Sequence, residues 1–90
     1  MLEYRIRVIN ALGLHARAAA KLVKTARRFR SRIMLTNVRS GESANAKSIL
    51  SLLYIAASLG AEIVLTAEGD DEAEAIEAVV NLFSSGFGEK

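Results

Sequence analysis

The sequence has no cysteine, no proline and only one histidine among its 90 residues. The first absence removes disulfides and thiolate chemistry, and a lone His without Cys partners offers no donor set for a protein-built zinc site. The interior must hold by packing, and no metal or other cofactor is expected. There is also no Pro/Gly-rich linker, internal repeat or low-complexity segment, so residues 1–90 read as one domain with one core and one main site. Long apolar runs are missing too. The longest, "LLYIAA" at Leu52 to Ala57, is far short of the ~20 residues of a membrane span. "MLEYRIRV" lacks the apolar core of a signal peptide. A cytoplasmic monomer without membrane insertion is the expectation.

What is present is polarised. Residues 1–48 carry eleven Lys/Arg against Glu3 and Glu42, a balance of +9, while residues 49–90 carry Lys90 alone against eight Asp/Glu, a balance of −7. The basic half suits an acidic partner, phosphate groups or nucleic acid, and the sign alone does not choose among them.

Hydrophobic periodicity orders the chain. In "LEYRIRVI" the alternation of Leu2, Tyr4, Ile6 and Val8 with charged residues predicts a half-buried strand. Ala16, Ala19, Leu22, Val23, Ala26 and Phe29 follow helical spacing and predict an amphipathic helix over 16–30. "RIMLTNV", the turn signal at Arg39 to Gly41 and "ESANA" predict a strand, a turn and a return strand. From Ser48 a second helix presents Ile49, Leu52, Leu53 and Ala56 on one face and stops at Gly60. "AEIVLTAEG" predicts a strand with Ile63, Leu65 and Ala67 inward. A last helix is expected to start with a capping box of Asp71 and Glu74 and to bury Ala73, Ile76, Val80 and Phe83 before Gly86. The order βαββαβα predicts an α+β, two-layer open-faced sandwich, with three helices on one face of a four-stranded, mainly antiparallel sheet.

The single His15 falls between a glycine-containing loop and the first helix. The first N–H groups of a helix lack intrahelical acceptors, and the aligned peptide dipoles add positive charge, so an anion is favoured there. The same dipole disfavours imidazolium and keeps the ring neutral and nucleophilic, while the N–H groups of Ala16, Arg17 and Ala18 could cradle a phosphoryl group. The Arg17 guanidinium can add charge-assisted bonds, and Gly13 gives the backbone latitude to present the ring. By local pattern alone, a cap or surface role for His15 stands ahead of a functional one. Neither Cys nor a carboxylate lies within residues 10–22 to support hydrolytic turnover, so a relay loaded and unloaded by other proteins fits better than an enzyme. Arg17, Lys21, Lys24 and Arg28, at steps of four, three and four, form a basic stripe that serves as a docking face or as a solvated one.

At "GLHARAAAKL" the chain resembles the active-site segment of HPr-like histidine phosphocarriers of the bacterial phosphoenolpyruvate-dependent phosphotransferase system. The resemblance extends through "NAKSIL" and "GAEIVLTAEGDDEAEAI" and covers nearly the whole chain. It implies that His15 accepts a phosphoryl group on ring nitrogen Nδ1 from enzyme I and passes it to an EIIA-type protein, with Arg17 stabilising it. It further implies that Ser48 is the position a serine kinase, with a matching phosphorylase, modifies in some members; as sequence, Ser48 is also a good helix N-cap. Lys21, Lys24, Arg28, Lys47 and the exposed apolar members of the second helix, Leu50 or Tyr54, would form the docking surface. The family usually has Pro after the Arg, and here Ala18 stands in its place. "VINALGLHA" and "NLFSSGFGE" look like the nitrogen-related regulatory branch, whereas Lys47 before Ser48 looks like the sugar-linked one. Two other classes remain open. One is a nucleic-acid-binding domain using the basic helix, for which the five aromatics, three of them on expected core faces, give little stacking surface. The other is a regulatory module of the same family whose phosphorylation state is the signal.

Overall fold

The computed structural model describes residues 1–55 and 60–89. The elements are β1 (Leu2–Arg7), α1 (Ala16–Ala26), β2 (Arg32–Asn37), β3 (Ser43–Asn45), α2 (Ile49–Tyr54), β4 (Glu62–Glu68) and α3 (Glu72–Ser84), followed by a short 3-10 turn at Gly86–Gly88. The sheet order is β1-β4-β2-β3, with every neighbouring pair antiparallel. The alternation in β4 places Ala67 and Leu65 opposite Ile33 and Leu35 of β2, with Ile63 opposite Asn37, and the five apolar residues are fully buried. Onto this face pack Leu22, Val23 and Ala26 of α1, Leu52 of α2 and Ala75, Val79 and Phe83 of α3. The expected fold class and element order hold.

Five expectations are corrected. Leu2 and Tyr4 share the core side of β1 with Ile6, yet they are 39% and 49% exposed, because β1 is an edge strand that the helices only partly cover. The first helix ends at Ala26 and not near Arg30. The Arg27, Arg28 and Phe29 N–H groups close tightening turns, and the Arg30 and Ser31 N–H groups are taken by the Asp71 carboxylate, both at 2.9 Å. The expected Asp71/Glu74 capping box does not form for the same reason. Asp71 is the N-cap residue of α3, but its carboxylate is committed to Arg30 and Ser31, while Glu72 accepts from the Gly69 N–H. The buried stripe of α3 is Ala75, Val79 and Phe83, with Ile76 and Val80 at its margin and Ala73 exposed. In α2, Leu52 is buried while Ile49 and Leu53 are 42% and 37% exposed; Ala56 lies outside the described residues.

The Ser31 hydroxyl, followed by the Arg30 N–H, lowers the Asp71 pKa from 3.8 to about 2. A carboxylate lowered on folding contributes stability above its unfolded pKa and loses it as pH falls through the folded value. The acid unfolding midpoint should therefore move to higher pH in Asp71→Asn, with the difference between variants closing below about pH 2. Circular dichroism across pH 1 to 6 measures it.

Candidate functional site

The chain leaves β1, turns at Asn10 to Gly13 and enters α1 with His15 as N-cap. Asn10 is buried; its side-chain amide donates to the Gly13 carbonyl at 2.7 Å, and Gly13 takes a positive φ of 66°. This rigid turn presents a partly exposed imidazole at the start of the helix. The Arg17 N–H donates to His15 Nδ1 at 3.3 Å, and the His15 carbonyl accepts from the Ala19 N–H at 2.8 Å. Ala16 and Ala18 occupy the rest of the first turn, where helix geometry provides no intrahelical acceptor for their N–H groups. Arg17 is exposed, and its guanidinium makes no hydrogen bond or ion pair among the described residues.

The other face of the ring holds what the sequence reading missed. His15 Nε2 lies 2.6 Å from the Glu89 carboxylate, a partner 74 residues away in the chain. Glu89 Oε1 also accepts from the Asn10 amide at 3.0 Å. That amide, together with the His15 ring and the charge of Lys21, holds the Glu89 carboxyl below its ordinary range, against the opposing effect of burial. An ionised carboxylate only accepts, so Nε2 carries the ring proton, and Nδ1, accepting from Arg17, keeps its lone pair. The expectation that no carboxylate supports His15 holds only for the local segment.

A tight backbone path brings Glu89 there. Gly86, Phe87 and Gly88 all take positive φ, at 61°, 59° and 72°. For Phe this conformation is strained. Burial of its ring to 1% exposure and an edge-to-face contact with Phe83, centroids 4.8 Å apart, hold it in place. Lys21 Nζ donates to the Phe87 carbonyl at 2.5 Å. The paired glycines around Phe87 were the available sequence signal.

The basic stripe is exposed as expected, though not uniformly free. Lys21 is tied to Phe87, and the Arg28 guanidinium lies 5.6 Å above the Phe29 ring. Lys47 is half-buried, its ammonium donating to the Phe29 carbonyl at 2.7 Å, which fastens the start of α2 to the end of α1. Leu50 and Tyr54 are 81% and 73% exposed, and Leu12, just ahead of His15, is 71% exposed, an apolar member of the rim that periodicity did not mark. Ser48 is the N-cap of α2, its hydroxyl accepting from the Ser51 N–H at 3.2 Å. Among the described residues no helix is long and apolar enough to cross a membrane.

Residues 2–85 match the family model described as the PTS HPr component phosphorylation site. The chain belongs to the HPr family. Phosphocarrier protein HPr of Neisseria meningitidis is 44% identical over 99% of this chain and 98% of that protein. Phosphocarrier protein NPr of Proteus mirabilis is 41% identical over 99% of both. The crystal structure of an HPr from Thermoanaerobacter tengcongensis superposes with a TM-score of 0.94 at 46% identity, covering 100% of this chain and 99% of that one. HPr-family proteins are phosphocarriers of the phosphotransferase system, and this chain is one of them.

Proposed function

We propose that this HPr-family chain carries a phosphoryl group on Nδ1 of His15, received from phosphorylated enzyme I and delivered to an EIIA-type protein. The observation that supports this most is the polarity of the ring: the nitrogen facing the helix start is the one with the lone pair. In-line attack forms the Nδ1–P bond as the donor's P–N bond breaks, the electron pair returning to the donor. The Arg17 N–H that marks the resting lone pair is then released to donate to a phosphoryl oxygen, with the Ala16 and Ala18 N–H groups and the Arg17 guanidinium around it. Ala18, standing where relatives have Pro, adds one donor to that cradle. Labelled phosphoenolpyruvate with enzyme I should give an acid-labile label on His15; acid-stable label would sink the assignment.

Partners would dock on Lys21, Lys24, Arg28 and Lys47 with Leu50 and Tyr54, a basic face with an apolar rim that suits an acidic protein surface. Nucleic acid is the weaker reading, since the exposed aromatics are Tyr4 on the sheet edge and Tyr54 on α2, away from the basic helix. Ser48 is the proposed regulatory position. Its phosphate would be accommodated at the start of α2 while placing negative charge beside this basic face. Ser48→Asp should raise the KM for transfer from enzyme I by about threefold to tenfold while leaving kcat and thermal stability close to wild type, because Asp caps a helix as well as Ser. Steady-state transfer kinetics beside a thermal melt separate these effects. Use in sugar uptake or in a nitrogen-related relay is decided by which EIIA accepts the label.

A further inference from the structure

We propose that Glu89, held by Asn10 and by the Gly86–Glu89 segment, is a positioning residue that fixes the His15 tautomer and compensates the charge of the phosphorylated ring. This rests on His15 being the acceptor. Three observations carry it. The carboxylate sits on Nε2 at 2.6 Å, the nitrogen that does not react. Its second oxygen is claimed by the buried Asn10, whose other amide hydrogen is fixed on the Gly13 carbonyl of the very turn that presents His15. Finally, the segment that delivers it is locked by a strained, fully buried Phe87 and by Lys21 on the Phe87 carbonyl, so its placement is built in and not incidental.

The chemistry follows from where the proton stays. When Nδ1 bonds phosphorus, the ring gains a positive charge, with Nε2 still protonated. Glu89 faces that charge directly. Because Asn10 keeps the carboxylate a weak base, the proton remains on Nε2, and a protonated ring is the better leaving group when the acceptor attacks phosphorus. The Nδ1–P electron pair then returns to the ring, which regains the resting tautomer without any net proton transfer. Glu89 thus serves both directions of the relay.

Two variants separate tautomer from charge. The Glu89→Gln amide oxygen can still accept from Nε2 but carries no charge, whereas Glu89→Ala removes both. With nitrogen-15 NMR of the His15 ring in the full chain, wild type and Glu89→Gln should show one tautomer, protonated on Nε2, and Glu89→Ala a mixture. With phosphorylated protein, transfer to an EIIA acceptor should slow about tenfold in both variants, the loss of one charge-assisted bond. The pH at which the phosphorylated ring loses its Nε2 proton should fall in both. A single Nε2 tautomer in Glu89→Ala, or wild-type transfer and pH profile in Glu89→Gln, overturns the proposal. Failure of wild type to take label would instead overturn the reading of His15, and the ring NMR of the unphosphorylated chain would still decide the tautomer. Backbone amide spectra matching wild type exclude a folding defect.

Discussion

Replacing His15 by Ala is expected to reduce phosphoryl incorporation from phosphoenolpyruvate and enzyme I to background. Within the site no other group can take its place: the chain has no cysteine or second histidine, and Glu89 is engaged by Nε2 and Asn10. The side chain is also the N-cap of α1, so its loss removes the acceptor for the Arg17 N–H and should cost about 1 kcal/mol of stability. An unlabelled Ala variant alone would mix chemistry with a weakened helix start. His15→Asn resolves the two, because Asn caps as well as any residue yet offers no nucleophilic ring nitrogen. Equal absence of label in both variants, with a higher melting temperature for Asn, is the expected pattern. Label in the Asn variant would place the acceptor elsewhere and remove the basis of the site.

Local pattern carried the element order, the cap roles of His15 and Ser48, and the turn after Asn37, since each depends on residues within a few positions of one another. The misses share a cause. Whether Tyr4 is covered depends on β1 being an edge, which is a property of sheet order and not of the alternation in "LEYRIRVI". Asp71 reads as a cap because nothing nearby shows that Arg30 and Ser31 will compete for it from 40 residues away. Glu89 was missed for a further reason: the glycines beside Phe87 signal a tight turn, but reaching His15 requires a buried Phe in a left-handed conformation, which no propensity favours and only tertiary packing maintains. The proposed reactive half of the site, His15 and Arg17, is thus encoded locally, and the Glu89 contact proposed to set its protonation is encoded by the fold.

At the opposite end of the sheet, Gly69→Ala should cause the largest loss of stability, about 3 kcal/mol, combining backbone strain with overpacking. Gly69 has φ 150°, and a Cβ there would lie 2.7 Å from Ser31 Oγ and 2.8 Å from Ser31 Cα. Trimming the Ser31 side chain relieves only the first contact. The second is with backbone, and that backbone is pinned because the Asp71 carboxylate holds the Ser31 N–H and hydroxyl. Retreat of Ser31 would therefore break the bonds that join the start of β2 to the start of α3. In a domain of this size the expected drop in Tm is roughly 15 °C, and Ser31→Ala combined with Gly69→Ala should recover little of it. The register of β1 on β4 runs from Leu2 opposite Ala67 to Arg7 opposite Glu62, so the loop leading to His15 leaves the sheet at the far end from Gly69. Phosphoryl transfer per folded molecule should accordingly stay near wild type at temperatures below the lowered transition. Urea unfolding with an unchanged m-value, read beside transfer kinetics at low temperature, tests both halves; a stable Gly69→Ala variant would mean that Ser31 can move and that the Asp71 junction is looser than its hydrogen bonds imply.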